Sequence, residues 1–456
     1  MGGGVASRRQ QGCSKRRLGR GEGLAPANRA TVEAAYTGRA LWSWAGETLA
    51  NEAPKPVALR FFWVVLVLGL AGAWFTLWPL VESAGSWQID LEVYRNGYNA
   101  WRADGDLYGV MPETQIGNPL PFIYPPFALL ALLPFAALPW VTANTLLVLA
   151  NFAAIAATVY VVGRHVWPAG GPRGAIMIAA ATTPLSVFLE PVSDTFSFGQ
   201  VNLLLMGLVA VDCLAPKTWW PRGIGVGIAA AIKLTPAAFV LYFLLRKDYR
   251  AAIVAAVTGA VATVAGFAVD FAGSVKFWTG GSEGLAEVSG SPFRTNQAIE
   301  AALARFGLSP ADVTVWWIVL GLLVLGVTIV AMRRADPAPA LLANAALALV
   351  ISPTSWSHHW VWVVPALVVM LAYVVRRLTE NSLAAIGWFT AALLTTIAFT
   401  LAPFHELPGY NDKELLWTTG QQFAGNSYLL LALTFLICLA LPALRTAGAR
   451  ARAANR

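Results

Sequence analysis

Residues 61–80 read FFWVVLVLGLAGAWFTLWPL, which is twenty consecutive residues without a charged side chain. About twenty apolar residues are enough for an α-helix to cross the hydrocarbon core of a bilayer. Similar runs recur at Val141–Gly163, Val313–Ala331, Leu383–Ala402 and Ser427–Leu444. One or two such runs would fit the core of a large soluble protein, but so many in one chain do not. The runs predict an all-α polytopic membrane protein.

The overall composition agrees with this prediction. Of the 456 residues, 57% are hydrophobic and 12% are charged, whereas ordinary soluble domains carry about 25% charged residues. The net charge is +8, but no basic face interleaved with aromatic residues indicates a nucleic-acid-binding module. Cys13, Cys213 and Cys438 form neither a disulfide framework nor a metal-type spacing. We therefore expect no nucleic-acid partner and no metal site.

Polar, basic tails flank the apolar region. Residues 1–57 are polar and basic and contain no long apolar run, and we interpret them as a disordered cytoplasmic tail. The membrane-embedded domain then covers residues 58–446, and residues 447–456 form a second cytoplasmic tail.

The positive charges orient the helices, because lysine and arginine concentrate in cytoplasmic loops. They place five points of the chain inside: the N-terminus, 246–250, Arg333-Arg334, Arg376-Arg377 and the C-terminus. The external segments are then 81–121, 272–311, 352–359 and 403–426. The alternation closes without conflict over the last six spans.

The region 122–245 leaves two arrangements open. It holds five apolar runs interrupted by prolines, and an odd number of crossings is required. Five crossings give twelve spans and leave Arg164 and Arg173 outside, whereas three crossings with paired re-entrant helices give ten. Broken helices are tolerated where the backbone faces protein or a water-filled cavity. We expect about 10–12 transmembrane or re-entrant helices, some of which do not cross fully.

Polar side chains suited to chemistry gather on the predicted external side. Asp90 follows the first span and precedes Leu91–Trp101, whose apolar spacing is typical of an interfacial amphipathic helix. Its carboxylate can cap that helix or act in catalysis, and the sequence leaves both open. His358 and His359 begin a later helix, where imidazole N–H groups and the helix N-terminus favour an anion such as phosphate. Adjacent helical residues point about 100° apart, so we expect one of the two histidines to face the site.

Other charged residues are candidates because of their position. A charge within a span costs about 2.5–3.5 kcal/mol, which makes it a functional candidate by default. The charges within apolar runs are Glu190, Asp194, Asp212, Lys233 and Asp270. Lys233 sits deepest and is expected to pair with a phosphate or with one of these acids. Asp212 and Asp270 lie near the ends of their runs, where solvation at the interface explains them equally well. Arg294 lies in an external segment and either binds phosphate through its guanidinium or is a solvated loop charge.

Five segments follow one another in the chain: IDLEVY (89–94), FIYPPF (122–127), GQVNLL (199–204), AIKLTP (231–236) and SPTSWSHHW (352–360). Their order resembles glycosyltransferase family 87, the polyprenyl-phosphate-mannose-dependent α-(1→2)-mannosyltransferases of actinobacteria. The resemblance covers roughly residues 60–375. It implies a C-type glycosyltransferase (GT-C) fold, a catalytic base from the first external loop and a histidine near the donor phosphate. Asp90 matches the first of these positions, and His358 or His359 matches the second.

The resemblance implies transfer of mannose from polyprenyl-phosphate mannose to a lipid-linked mannoside, a glycolipid or a lipoglycan. The protein would lie among the lipids of the plasma membrane, with its active site on the outer, periplasmic face. In the inverting reaction that we expect, Asp90 takes the proton of the acceptor hydroxyl. The expected substrate-binding residues are His358 or His359, Arg294, Lys233, Tyr94 and Tyr124. No nucleotide diphosphate leaves in this reaction, so we expect neither a metal nor another cofactor.

Two other functions remain open at this point. A transferase of another lipid-linked sugar, such as arabinofuranose, would differ only in its pocket contacts, which a sequence does not reveal. A flippase or transporter of lipid-linked sugars would usually show internal repeats and charges near the midplane. No repeat is visible at the level of motifs.

Overall fold

The computed structural model describes residues 56–454, apart from residues 87, 104, 281–288 and 379–380. The predicted N-terminal tail therefore lies almost entirely outside the described residues. The described chain is helical and contains no strand, only the isolated bridges Glu113–Pro119 and Asn296–Trp356. The predicted all-α fold is confirmed.

The described residues form the following α-helices: α1 (Pro56–Glu82), α2 (Ile89–Arg102), α3 (Phe127–Ala137), α4 (Trp140–Val166), α5 (Gly171–Ser186), α6 (Glu190–Phe198), α7 (Asn202–Leu214), α8 (Ile224–Ile232), α9 (Val240–Leu245), α10 (Tyr249–Val269), α11 (Phe271–Trp278), α12 (Ile299–Arg305), α13 (Pro310–Arg334), α14 (Pro337–Ile351), α15 (Val363–Arg377), α16 (Ser382–Leu401), α17 (Thr419–Gly425) and α18 (Ser427–Ala454). Short 3₁₀ helices at Thr235–Phe239 and Ser357–Trp362 precede α9 and α15. Helix α18 continues through most of the predicted C-terminal tail, residues 447–456.

Six helical stretches in the described chain are long and apolar enough to cross a bilayer: α1, α4, α10, α13, α15 with its preceding 3₁₀ helix, and α16. Two bent pairs, α5 with α6 and α17 with α18, bring the number to eight if each pair is one span. Large apolar side chains such as Leu68, Trp74 and Phe75 of α1 are exposed. Lipid is the environment in which such a surface is stable, so the chain is a multi-pass membrane protein.

The predicted external segments meet at one end of the bundle, which we call the loop end. Three contacts join them: Lys276 with Asp106 at 2.7 Å, the Arg294 guanidinium with the His405 carbonyl at 2.8 Å, and Ser355 N–H with Asn296 Oδ1 at 2.9 Å. The loop end thus consists of the described residues within 83–126, 270–309, 352–356 and 402–426, close to the predicted boundaries.

The arginines expected in the cytoplasm gather at the opposite end, which we call the basic end. Its contacts are Arg246 with the Ala335 carbonyl at 3.1 Å, Arg376 with Asp336 at 3.5 Å and with the Val166 carbonyl at 3.1 Å, and His165 with the Leu214 carbonyl at 2.9 Å. Since Val166 ends α4 and Leu214 ends α7, both helices finish at the basic end.

The contacts decide between the two arrangements of the central region. Helix α4 begins beside Ser86 at the loop end, where Trp140 Nε1 donates to the Ser86 carbonyl at 3.0 Å. It runs to the basic end, and α5 returns to the loop end, where α6 contacts Gln88 and His405. Helix α7 then runs back to the basic end. The segment from α8 to α9 starts and finishes at the basic end, with Lys233 at its tip, and is therefore re-entrant. Helix α3 stays at the loop end, because Phe127 packs on Gly266 and the Leu138 carbonyl accepts from Arg95.

The contacts favour the three-crossing arrangement. With α7 and α14 counted as passes beside the eight spans above, ten passes connect the two ends of the described chain. Arg164, in the last turn of α4, lies at the basic end of the bundle. Helix α7 has 13 residues and is therefore about 20 Å long, shorter than the roughly 30 Å hydrocarbon core.

Cysteine accessibility tests this arrangement. With the three native cysteines replaced by serine, Gln115→Cys and Lys413→Cys should react with a membrane-impermeant maleimide added to intact cells. Both positions are exposed at the loop end. Arg173→Cys and Arg250→Cys should react only after permeabilisation. Reaction of the Arg173→Cys variant in intact cells would contradict the ten-pass arrangement.

Candidate active site

A cavity of about 460 Å³ lies at the loop end of the bundle. Its walls come from α2, the segment before α3, helix α6 and the loop-end segments. Four predicted site residues line it: Asp90, Tyr124, Arg294 and His358. The other three, Tyr94, Lys233 and His359, lie behind residues that line it.

Helix α2 brings Asp90 to the cavity. The helix is amphipathic as predicted, with Leu91 and Tyr94 among its buried residues. Gln88 precedes it in an extended conformation and donates through Nε2 to the Phe196 carbonyl at 2.9 Å, which anchors the start of α2 to α6. Asp90 is the second residue within the helix, and Gln88 occupies the N-cap position without a side-chain cap bond. The capping interpretation of Asp90 is therefore wrong.

The surroundings of Asp90 favour a carboxylate that can accept a proton near neutral pH. Helix α2 lies outside the membrane-spanning helices. Burial raises the pKa of Asp90 to about 7, while the positive charge of Lys233 and the Gln200 side chain act in the opposite direction. A general base works best when its pKa lies close to the working pH.

Lys233 lies where α8 ends, in an extended backbone conformation. Its Nζ donates to Asn202 Oδ1 at 3.1 Å and lies 2.9 Å from His359 Nε2. It also lies 5.9 Å from the centre of the Tyr124 ring. An ammonium group only donates hydrogen bonds, so Nε2 of His359 accepts and the ring carries its proton on Nδ1. Lys233 thus pairs with an amide and an imidazole, and not with one of the acids considered in the sequence.

The rings of the two histidines in the short helix Ser357–Trp362 lie 4.7 Å apart in edge-on contact, and each histidine lines a different cavity. His358 lines the large cavity, and its ring packs edge-on against Phe198 at 5.2 Å. The Asn202 side chain donates to the His358 carbonyl at 2.9 Å, which fixes the helix against α7. His359 points to Lys233 instead. The expectation that one histidine faces the cavity agrees with this geometry, but the second also belongs to the polar cluster.

Tyr94 and Tyr124 form a buried network with Gln200. Tyr94 Oη donates to Gln200 Oε1 at 2.7 Å, and Gln200 Nε2 donates to Tyr124 Oη at 3.0 Å. The two hydroxyl groups lie 3.2 Å apart. Tyr124 lines the cavity, whereas Tyr94 is 1% exposed and lies behind it. Tyr94 therefore supports the wall of the site, and its predicted contact with substrate is not part of this geometry.

Arg294 holds the loop end together. Its Nη1 donates to the carbonyl oxygens of His405 and Leu407 at 2.8 and 2.9 Å, and its guanidinium carbon lies 5.4 Å from the Tyr410 ring centre. It lines the cavity, but these contacts already use part of its donor capacity. It is therefore not the freely solvated loop charge considered in the sequence.

A second polar cluster borders the same cavity. One carboxylate oxygen each of Glu190 and Asp194 and one ring nitrogen of His405 lie within 4.8 Å of one another. His405 Nε2 is 2.9 Å from Glu190 Oε1. Asp194 and His405 line the cavity. Carboxylates and an imidazole at this spacing are able to bind a cation or neutral hydroxyl groups.

Three polar residues of the site, Gln200, Asn202 and His405, were not predicted as site residues from the sequence. Two of them had a usable signal. Gln200 and Asn202 are polar residues at the start of an apolar run and are both buried, so the argument applied to buried charges also fits them. His405 had no signal beyond being one of four histidines. Asp212 is fully buried, accepts from Gly223 and Val226 N–H at 3.0 Å, and so anchors the start of α8. Its interpretation as a solvated interfacial charge is wrong.

A smaller, mostly apolar cavity begins at Lys233 and His359. Beyond these residues its walls are apolar side chains of α7, α14 and the 3₁₀ helix before α9: Leu205, Met206, Val209, Phe239, Ala345 and Leu349. The lining of this cavity therefore combines the positive charge of Lys233 with a mostly apolar surface.

Comparisons with known proteins agree with this picture. Residues 122–353 match the model of glycosyltransferase family 87. The chain is 37% identical to a polyprenol-phosphate-mannose-dependent alpha-(1-2)-phosphatidylinositol mannoside mannosyltransferase of Mycolicibacterium smegmatis, covering 87% of this chain and 93% of the relative. The protein of the same description from Mycobacterium tuberculosis is 36% identical, over 85% and 92% of the two chains.

A more distant relative has a related description. It is a polyprenol-phosphate-mannose-dependent alpha-(1-2)-phosphatidylinositol pentamannoside mannosyltransferase of Mycolicibacterium smegmatis, 30% identical over 70% of this chain and 77% of its own. No solved structure matches the chain.

The protonation of Asp90 is open to a direct chemical test. A hydrophobic carbodiimide modifies protonated carboxyl groups, so its reaction with Asp90 should be half-maximal near pH 7, as followed by peptide mass spectrometry. Lys233→Met should move that midpoint to higher pH, because the positive charge of Lys233 lowers the pKa of Asp90. Asp106, whose pKa Lys276 lowers, serves as the internal control and should stay unmodified at neutral pH. A midpoint of the Asp90 reaction near pH 4 would show that its surroundings do not raise the pKa of Asp90 and would contradict this prediction.

Proposed function

The chain belongs to glycosyltransferase family 87, and on this premise we propose that it transfers mannose from polyprenyl-phosphate mannose to a hydroxyl of a phosphatidylinositol mannoside. The product carries an α-(1→2) linkage, and the reaction inverts the anomeric carbon. The family is one of C-type glycosyltransferases. The observation that carries the proposal is the single cavity shared by Asp90 and His358 beside Lys233.

Asp90 is the base in this reaction. Its carboxylate takes the proton of the acceptor 2-hydroxyl while that oxygen bonds to the anomeric carbon, and the bond from that carbon to the phosphate oxygen breaks. Polyprenyl phosphate leaves, and a β-linked mannosyl phosphate yields an α-mannoside. Only one base on the acceptor side is needed, unlike in glycosidases with paired carboxylates.

Lys233, His359 and His358 stabilise the departing phosphate. Lys233 supplies the positive charge, and the imidazole N–H groups supply hydrogen bonds as negative charge grows on the leaving oxygen. The hydrogen bonds to Asn202 and His359 already hold the ammonium group in place. This arrangement is preorganised, so little rearrangement is required when the donor arrives.

The apolar cavity beyond Lys233 and His359 is about 50 Å³ in volume, so it receives only the start of the donor's isoprenoid chain, next to the phosphate. A lipid phosphate needs a cationic site for its head group and an apolar path for its chain, and this cavity combines both. The names of the relatives specify mannose as the transferred sugar and describe transferases. This favours mannose over arabinofuranose, and a transferase over a flippase.

The active site faces the outer side of the plasma membrane. The positive-inside rule supports this orientation, because the basic end collects the arginines and the cavity lies at the opposite end. The acceptor glycolipid then reaches the cavity from the outer leaflet, with its sugars in the periplasmic space.

Replacing Asp90 tests the chemistry directly. Asp90→Asn should lower transfer by about 10²–10⁴-fold, because asparagine keeps the size of the side chain but cannot accept the proton. The assay uses purified protein in liposomes with radiolabelled polyprenyl-phosphate mannose and phosphatidylinositol mannosides. The matched control is Glu92→Gln in the same helix, whose carboxylate accepts from Gln115 N–H at 3.1 Å. Near-normal turnover of a well-folded Asp90→Asn protein would exclude Asp90 as the base.

The donor class is a separate prediction. The enzyme should use polyprenyl-phosphate mannose and should not use a nucleotide sugar, since the phosphate site opens onto an apolar cavity. A chelator of divalent ions should leave transfer unchanged, because the departing monophosphate has Lys233 and the histidines as partners. The measurement is product formation with each donor, with and without chelator. Strict dependence on a divalent ion would refute this prediction.

A further inference from the structure

The two sides of the site differ in charge. Lys233 and His359 line the apolar cavity. Asp194 and His405 line the large cavity, and Glu190 contacts His405 behind its wall. Carboxylates repel a phosphate and accept hydrogen bonds from hydroxyl groups. The acidic side therefore suits a neutral polyol better than the anionic head of the donor.

Glu190 holds His405 in place. Glu190 is 8% exposed, and its Oε2 accepts from Tyr428 Oη at 3.0 Å while its Oε1 lies 2.9 Å from His405 Nε2. Since a carboxylate oxygen accepts, Nε2 of His405 donates, which leaves Nδ1 as the ring atom for a ligand. The Arg294 contact to the His405 carbonyl fixes the backbone as well. His405 is thus a rigidly mounted polar group on the cavity wall, with Asp194 beside it.

Aromatic side chains complete this wall. Phe293 lies edge-on to Trp356 at 6.3 Å and 5.1 Å from Tyr410, measured between ring centres. All three line the cavity with Asp194 and His405. Polar groups that accept from hydroxyls, set beside aromatic faces that cover C–H surfaces, match the two kinds of surface that a pyranose presents.

The direction of the reaction places the acceptor on this side. In an inverting displacement, the attacking hydroxyl approaches opposite to the leaving phosphate. The groups that suit the phosphate, Lys233 and His359, lie on the side of the apolar cavity. The acceptor sugar must therefore occupy the part of the large cavity walled by the loop-end segments.

We propose that Asp194 and His405, positioned by Glu190, form a subsite for the terminal mannose of the acceptor. Hydrogen bonds from its hydroxyl groups to these side chains orient the ring so that its 2-hydroxyl reaches Asp90. The subsite thereby decides which hydroxyl is glycosylated. This inference rests on the proposed function, and Asp194 and His405 act as positioning residues and not on the reacting atoms.

The test separates acceptor binding from transfer. Binding of a synthetic methyl dimannoside to protein in nanodiscs is measured by calorimetry for the wild type, Asp90→Asn, Asp194→Asn and His405→Ala. Asp194→Asn and His405→Ala should each weaken binding about 10- to 100-fold, as expected for lost hydrogen bonds to charged or strongly polar groups. Asp90→Asn should bind within a few-fold of the wild type. In the transfer assay, Asp194→Asn should raise the acceptor KM and leave the donor KM unchanged.

The matched control is Asp312→Asn, an exposed carboxylate at the same end of the bundle, which should change neither value. An unchanged acceptor KM and unchanged mannoside binding in Asp194→Asn would overturn the subsite while leaving the proposed function intact. Mannoside binding that depends on Asp194 in a protein without transfer activity would support the subsite and refute the proposed function. Absence of dimannoside binding by the wild type, or binding lost in chelator and restored by Mg²⁺, Ca²⁺ or Mn²⁺, would overturn the subsite.

Discussion

The ammonium group of Lys233 lies at the tip of a re-entrant segment inside an apolar bundle, and the rest of the site is arranged around it. A charge in such a place is costly unless protein groups replace water. Asn202 and His359 do so, and each belongs to a different part of the fold. The Asn202 side chain also bonds to the His358 carbonyl, so one amide joins the lysine to the helix of both histidines. The positive charge in turn lowers the pKa of Asp90 against the effect of burial.

Hydropathy and charge predicted most of the fold. They did not predict which short apolar helices cross the bundle and which do not, and this has a physical cause. Long spans such as α4 and α13 are recognisable from the length of their apolar runs, and the basic loops predict the direction in which each span crosses. Helix α3 and the segment α8–α9 are short and apolar, so their composition resembles that of half a span. Hydropathy reports whether a residue avoids water, but it does not report how deep the segment goes or on which side it returns. That information lies in contacts such as Arg246 with the Ala335 carbonyl.

In the site, too, some residues were predictable from the sequence and others only from the tertiary contacts. Asp90, Lys233 and His358 were predictable, because each is a polar group in an improbable place or within a family segment. His405 was not, since its significance comes from Glu190, which lies 215 positions away in the chain. Arg294 was correctly placed outside the spans, but its hydrogen bonds to two loop carbonyls depend on a folding of residues 402–426 that no local pattern encodes. Local patterns therefore identify candidate groups, whereas their pairing is a property of the tertiary structure.

The short helix α7 has a consequence for the surrounding lipid. With 13 residues it falls about 10 Å short of the hydrocarbon thickness, and its first residue, Asn202, carries one of the partners of Lys233. A lipid phosphate that reaches Lys233 must sink below the level of neighbouring head groups, or the leaflet must thin beside α7. Either adjustment has an elastic cost that rises with membrane thickness. The acyl-chain length of the host membrane thereby becomes one of the determinants of how readily the enzyme captures its donor.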